Sequence, residues 1–375
     1  MGFSFAAKKI LIVGSGLSGA VVANEIARAG YSVDVIEKRS HIAGNIYTER
    51  DKTTGIIKHV YGPHIFNTNN EEVWKYVNNL TPFSNFINRV KVNYQSQIYS
   101  FPINLHTINQ FFSESLNPYE AEKYIEKVRD KKIINPKNFE EQALSMVGKD
   151  LYEAFLKGYT IKQWGCDPRE IPATVLKRLP LRFNYNDNYY DKRFQGIPNN
   201  GYTEIISKLL DHEKIHLILN QEFTETMNVE YSHIFFSGKI DEFFGYQHGM
   251  LGYRTVYWED EVFRGDFQGN AVINYTDMSV DFTRVIEHRH FYPNLEFTES
   301  LISREFSKET LPIDEPFYPK RLSSDLEKLN KYSALAKSLP NIFFIGRLGT
   351  YRYLDMDKII EEALELSHKF LVENS

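Results

Sequence analysis

Gly14, Gly16 and Gly19 stand in the order G-x-G-x-x-G between an aliphatic run, Lys9 to Val13, and a stretch of helical spacing, Leu17 to Ala29. In that setting the first glycine permits a tight turn and the second lets backbone approach a pyrophosphate. The third lets helix and strand pack closely, and the helix N-terminus, opened by Leu17 and Ser18, faces the anion. Ser32 to Ile36 alternates as a second strand and delivers Glu37. A carboxylate at that distance from the glycines accepts hydrogen bonds from ribose hydroxyls and repels a 2′-phosphate. The chemistry predicted is capture of a dinucleotide.

The residues after Glu37 decide which one. Glu37-Lys38-Arg39 leading into Ala43-Gly44-Asn45 resembles the extended stretch that many FAD proteins carry after the acidic residue. Phe343-Phe344-Ile345-Gly346-Arg347 before a helix resembles their closing segment, where a helix dipole favours a reduced, anionic flavin. FAD is the expected cofactor. No second G-x-G-x-x-G occurs, so NAD(P)H is admitted as a reductant but has no dedicated site.

Other chemistry is thin. Cys166 is the single cysteine, which excludes an internal disulfide and a multi-cysteine metal site. No Ser-His-Asp or Cys-His nucleophile stands out. His288 and His290 fall on one face of a predicted strand without a third ligand nearby, so no metal is expected. The formal charge of −5 argues against nucleic acid or an anionic membrane as partner, and an anionic ligand then needs locally placed arginines. No run approaches the roughly 20 apolar residues of a membrane span. The N-terminus lacks a cleavable apolar stretch, and Ala6 stands where a myristoylation signal carries Ser or Thr. A cytoplasmic protein is expected, and a homodimer is compatible with this.

Around these residues the pattern predicts an α/β chain: a Rossmann-like FAD-binding domain with a helical insertion and an antiparallel β-sheet insertion. Ala20, Ala23 and Ala27 give the first helix a small-residue face, and Gly30 stops it. The boundaries expected are 1–80, 198–245 and 335–375 for the discontinuous FAD domain and 103–177 for the helical one. The sheet domain takes 81–102, 178–197 and 246–334. In the helical part, Asn138 and Glu141 suggest a capping box, and Leu151, Phe155 and Tyr159 form a mostly core stripe. Lys123 to Lys132 reads as an exposed helix face. Val90–Tyr94 and Ile98–Phe101 flank an expected turn, Gln95-Ser96-Gln97, and Tyr253–Phe263, Ala271–Tyr275, Phe282–Phe291 and Leu301–Phe306 alternate as strands. Ile342–Ile345 and a helix from about Asp357 complete the first domain.

Several blocks are far more specific than the glycine loop: Tyr61-Gly62-Pro63-His64-Ile65-Phe66, Gly158-Tyr159-Thr160 with Lys162-Gln163-Trp164-Gly165, Gln195-Gly196-Ile197-Pro198, Gln268 to Asn274, Thr283-Arg284, Glu315-Pro316 with Tyr318-Pro319, and Gly346-Arg347-Leu348. In this order the sequence resembles the bacterial UDP-galactopyranose mutases over essentially the whole chain. The resemblance implies a redox-neutral isomerisation of UDP-galactopyranose to UDP-galactofuranose on reduced FAD, supplying surface-polysaccharide biosynthesis. In that family the flavin N5 attacks the anomeric carbon, UDP leaves, and an iminium intermediate lets the ring open and reclose. It further implies that Arg178 and Arg284 clamp the diphosphate with Arg347 beside flavin and sugar, and that Tyr189, Tyr318 and Tyr353 hydrogen-bond the phosphates. Asn88, Tyr159, Thr160, Trp164 and Asn274 match uridine- or sugar-contacting positions. His64 and Ile65 match the loop beside the isoalloxazine, and Leu354, Asp355 and Met356 the segment at its pyrimidine edge.

Plainer readings stand beside these. Trp164 and Tyr159 also suit a core, and Arg178, next to Lys177, a solvated helix. Arg254, the weakest of the substrate-site arginines, also reads as a partner of Glu259 or Asp260. Thr160 and Trp164, four apart, share a helix face and can wall one pocket. The family usually has a histidine where this chain has Asn67, which leaves the sugar, and its C2 substituent, open. Alternatives are the same chemistry on UDP-N-acetylgalactosamine, an FAD-dependent amine or alcohol oxidase of the same fold superfamily, and a non-catalytic flavin module.

Overall fold

A computed structural model describes residues 9–176 and 179–374. Ile10, Leu11 and Ile12 are fully buried, as a central strand covered on both faces requires. Ile10–Val13 pairs in parallel with Val33–Glu37 on one side and His233–Phe236 on the other. Ile215–Leu219 and Ile342–Phe344 complete a five-stranded parallel sheet at its two edges. Helix Leu17–Arg28 buries Ala20, Ala23 and Ala27 and packs against the C-terminal helix Met356–Asn374. Gly30, at φ +103°, takes the chain out of the first helix.

The second sheet has seven strands in the order Tyr318–Pro319, Tyr253–Arg264, Glu299–Glu309, Arg284–Glu287, Val272–Tyr275, Val90–Tyr94, Gln97–Phe101. It is antiparallel apart from Val272–Tyr275, which runs parallel to Val90–Tyr94 and so differs from the wholly antiparallel sheet expected. The hairpin turn holds only Gln95 and Ser96, both at positive φ, and Gln97 already belongs to the second strand. Two left-handed residues give the turn a twist that matches its strands without a glycine, and the Asp277 carboxylate accepts from the Gln95 N–H at 2.7 Å.

The strand expected over Phe282–Phe291 ends at Glu287, and His288–Phe291 is a 3-10 turn. His288 and His290 therefore do not share a strand face. His288 is fully buried against Ser303, whereas His290 turns to Asp266 and Glu287. Those last three offer ligand atoms within 4.8 Å of one another, but the Glu287 oxygens already accept from Phe267 N, Gln268 N and Ser300 Oγ.

Against the second sheet pack the helices Leu105–Phe112, Pro118–Val128, Phe139–Val147 and Lys149–Trp164. Asn138 caps its helix through Glu141 N, but the Glu141 carboxylate accepts from Lys137 N, so the reciprocal half of the box is displaced by one residue. Asn138 is extended there and bridges Pro172. The helix Pro118–Val128 exposes Glu122, Lys123 and Lys127 and half-buries Glu126, while Arg129 to Lys132 lie beyond its end. Leu151 and Phe155 are core as expected; Tyr159 is half-buried, because Glu153–Lys157 forms a wide π turn that rotates everything after it. Among the described residues no helix is long and apolar enough to cross a membrane.

Candidate functional site

Two cavities adjoin across this fold. The first, about 430 Å³, lies at the carboxyl end of the parallel sheet and is lined by Gly14, Gly16, Leu17, Ser18, Glu37, Lys38 and Asn45. Its wall is bare backbone where the glycines stand. A Cβ on Gly14, at φ +96°, would meet Ser237 Oγ at 2.1 Å, and one on Gly44 would meet Gly16 Cα at 3.1 Å. Gly19 does not line the cavity. It lets the helix touch the strand, since a Cβ there would fall 2.0 Å from the Gly14 carbonyl oxygen.

Glu37 is buried and held in place: Oε2 accepts from Ser15 N and Ser15 Oγ at 2.9 Å each, and Oε1 from Arg39 N at 3.0 Å. Arg39 Nη2 donates to Asn45 Oδ1 and to Glu315 Oε2, and Lys38 reaches Glu315 Oε1 at 2.7 Å. Glu315 belongs to the loop before Tyr318–Pro319, so the second sheet closes this cradle from outside. Arg39 Nη1 is buried without a partner. Bare glycine backbone, an anchored carboxylate and an orphaned cationic donor fit a flavin dinucleotide.

The second cavity, about 440 Å³, lies between the helices and the seven-stranded sheet. Its floor is set by register. Asn274 lies opposite Arg284, and Arg284 opposite Glu305, so three polar side chains share one face in a row. Glu305 is fully buried and accepts from Arg284 Nη2 at 2.6 Å and from Thr283 Oγ1 at 3.1 Å. Burial pulls the Arg284 guanidinium down, but Glu305 with Tyr159 and Tyr318 outweighs it and holds the group above its ordinary range. Arg284 Nε stays unpartnered. No sequence signal marks Glu305; only its place across the strand from Arg284 reveals it.

One wall is the Gly158–Trp164 helix, with Tyr159, Thr160 and Trp164 all lining the cavity. It sits close to the sheet: a Cβ on Gly158 would lie 2.0 Å from Thr276 O, and Lys162 Nζ donates to the carbonyls of Asp277, Val280 and Phe282 at 2.8–3.0 Å. Burial brings Lys162 down to about 8. Arg254 also lines the cavity but donates to Gln163 O, Lys162 O and Ser307 Oγ and pairs with Glu309 at 3.1 Å. The alternative pairing with Glu259 or Asp260 does not occur, because those residues stand about 17–20 Å further along an extended strand. Arg254 faces Glu309 in register.

The opposite wall carries Asn88, Tyr189, Tyr318 and Tyr353. Arg347 stacks over Tyr318 and Tyr353 at 5.7 and 5.0 Å and donates to the carbonyls of Phe317 and Leu354. Its Nε is buried without a partner, and among the described residues no carboxylate forms an ion pair with it. Burial, and then Glu305, pushes the Tyr318 phenol up to about 12, and burial raises Tyr159, so both remain donors at neutral pH. Ile65 and Asp355 line this cavity, not the first; Leu354 is buried and contributes its carbonyl. Asn67, buried, also lines it with Oδ1 unpartnered, as does Asn88 Oδ1. Arg178 lies outside the described residues.

His64, Arg347 and Met356 line both cavities. His64 Nδ1 bonds Gly62 O at 2.9 Å, and burial together with Arg347 and Arg284 brings the ring down to about 4, so it is neutral at physiological pH. Fold and cavities define a dinucleotide-binding α/β protein whose cofactor cradle shares a wall with a chamber lined by arginines and tyrosines.

The sequence pattern of the UDP-galactopyranose mutase family matches residues 154–353, and that of an NAD(P)-binding Rossmann-like domain residues 12–80. The chain is 50% identical over 364 residues to a probable UDP-galactopyranose mutase of Klebsiella pneumoniae, covering 97% of this chain and 95% of that one. It is 49% identical over 377 residues to a dTDP-fucopyranose mutase of Escherichia coli, covering 98% and 99%. A crystal structure of a reduced UDP-galactopyranose mutase shares the fold with a TM-score of 0.75 at 16% identity, covering 97% and 95%. The chain belongs to the UDP-galactopyranose mutase family, and is an isomerase that binds a flavin.

Proposed function

We propose that the protein isomerises UDP-galactopyranose to UDP-galactofuranose without net electron transfer, on reduced FAD, with NAD(P)H as a competent reductant. It works in the cytoplasm, through a discontinuous FAD domain and helical and sheet domains bounded as the sequence suggests. The observation that carries the reading is the shared wall of His64, Arg347 and Met356 between the cradle and an arginine-bearing chamber. Bound and reduced, the flavin supplies the nucleophile at the anomeric carbon.

The chain's own residues do the rest. Arg284, kept charged by Glu305, and Arg347, with its Nε unpartnered, receive the negative charge that grows on the departing diphosphate. Arg178 joins them on the sequence argument. The phenols of Tyr189, Tyr318 and Tyr353 donate to the phosphates, while Tyr159, Thr160 and Trp164 wall the nucleoside. Asn88, Asn67 and Asn274 present polar atoms to the sugar, two of them unpartnered. His64 stays neutral and adds no competing charge beside the cofactor.

Dithionite-reduced protein given UDP-galactose under anaerobic conditions should form the furanose, and oxidised protein should not. Oxidation of the sugar with consumption of oxygen on re-aeration would replace this reading by the oxidase one. A second reading keeps the chemistry and changes the sugar. Asn67, at a chamber position with Oδ1 orphaned, and 49% identity to the dTDP-fucopyranose mutase favour it. Parallel assays on UDP-N-acetylgalactosamine and dTDP-fucose decide between them.

A further inference from the structure

Beneath the His64 loop lies a run of buried hydrogen bonds that takes no part in either cavity. His64 N donates to His59 Nδ1 at 3.2 Å, and His59 Nε2 meets the Tyr292 hydroxyl at 3.2 Å. His59 N in turn donates to His288 Nδ1 at 3.3 Å, His288 Nε2 meets Ser303 Oγ at 2.9 Å, and Ser303 donates to Asp260 Oδ1 at 2.6 Å. Lys58 ion-pairs with Asp260 at the outer end. His59 and His288 are 2% and 0% exposed.

This network fixes every tautomer. Because His59 Nδ1 accepts, its proton sits on Nε2 and is donated to Tyr292; because His288 Nδ1 accepts, its Nε2–H goes to Ser303. Burial holds both rings neutral, reinforced for His59 by His288 and His64 and for His288 by Lys58. The His64 loop needs such an anchor. Gly62 is at φ +90°, and a Cβ there would meet Trp258 at 3.2 Å and Glu305 at 3.6 Å, so the loop rests directly on the chamber floor. The His64 ring is set by its own Nδ1–H to Gly62 O, by edge contact with the Tyr202 ring at 6.4 Å, and by the backbone N–H held by His59.

We propose that His59 is a positioning residue, whose Nδ1 lone pair fixes the His64 backbone and thereby the His64 ring between cofactor and sugar. The proposal rests on the mutase reading. It extends the working site to a side chain that lines neither cavity, through an acceptor whose position matters more than its bulk.

The test compares three variants of the flavin-loaded enzyme. Asn places an acceptor at the δ position, Gln places it at ε, and Leu offers none. His59→Leu should lose about 10- to 100-fold in kcat with KM and UDP affinity changed less than about 2-fold, the range a small misplacement of a reacting group produces. It should keep its flavin and show a shifted visible flavin spectrum. His59→Asn should recover most of the rate and the wild-type spectrum, and His59→Gln should not. Wild-type kcat and spectrum in His59→Leu, or equal impairment of Asn and Gln, would overturn the proposal. If Leu does not fold, the Asn–Gln pair decides. If none folds, 15N spectra of histidine-labelled wild-type enzyme decide: an Nε2–H tautomer for His59 supports the proposal and an Nδ1–H tautomer refutes it. A wild-type enzyme that binds flavin but isomerises no nucleotide sugar refutes the mutase reading instead.

Discussion

The cradle is made of backbone and the chamber of side chains. In the cradle, glycines leave amides and Cα atoms bare, and the charged groups, Glu37, Lys38, Arg39 and Glu315, hold one another within hydrogen-bond distance. In the chamber, aromatic rings, a fully buried carboxylate and unpartnered polar atoms, on Asn67, Asn88, Gln163, Arg284 and Arg347, surround the space. Among buried side-chain atoms of the described residues, the cradle leaves Arg39 Nη1 and the shared Arg347 Nε without partners, and the chamber leaves more. Buried polar atoms left without partners are costly, so the chamber stores a demand for a polar ligand while the cradle chiefly fits one. Damage to the cradle should therefore cost cofactor retention, and damage to the chamber should cost turnover and stability together.

The sharpest test of that contrast is Arg284→Ala. Glu305 would be left fully buried without its cation, and breaking such a pair costs about 3–5 kcal/mol of stability. Turnover should fall by about 100-fold or more while flavin stays stoichiometric. Adding Glu305→Gln should restore most of the melting temperature but not the rate. Recovery of both would mean that Arg284 serves the fold alone.

Acid comes next, because the chamber's foundations are neutral histidines and the cradle's charges are carboxylate pairs. His59 is pushed well below its usual value and His288 to about 3, in both cases first by burial. Between pH 7 and 5 the unfolded chain takes up protons that the folded one refuses, so stability falls as pH falls. The His288 ring alone accounts for about 2 kcal/mol by pH 5, and His59 acts in the same direction. His290, raised by its bond to Glu287, works in the other direction and offsets part of this. Urea midpoints measured from pH 7 to 5 should drop steadily; a flat profile would mean that these histidines accept protons in the folded state.

The smallest effect belongs to the cradle. Glu37→Ala removes one anchored acceptor and should weaken flavin retention by about 10- to 150-fold, the worth of a charge-assisted contact. UDP affinity should barely move, while the melting temperature falls modestly because Ser15 N, Ser15 Oγ and Arg39 N lose their shared acceptor. Loss of UDP binding in this variant would show that the two regions are coupled more tightly than their separate construction suggests.

The glycine loop, its helix and Glu37 were legible because each depends on residues close in sequence: a turn that tolerates positive φ, a helix with a small-residue face, a strand that ends on a carboxylate. The Gly158–Trp164 wall was half legible. The i, i+4 spacing of Thr160 and Trp164 placed them together, but the π turn that swings Tyr159 out of the core stripe leaves no mark in periodicity. His288 and His290 misled for a related reason, since alternation continues past Glu287 while the backbone there turns.

Residue order was enough for the cofactor class and the parallel sheet that holds it. Local hydrogen bonding and hydrophobic periodicity are written residue by residue. Chain packing alone decided that Asn274, Arg284 and Glu305 form a row, that Arg254 serves Glu309 and a helix end, and that His59 carries the His64 loop. Those pairings join segments from 5 to 92 residues apart. They arise from strand register and chain crossing, which the burial of whole faces fixes and no single stretch of sequence records.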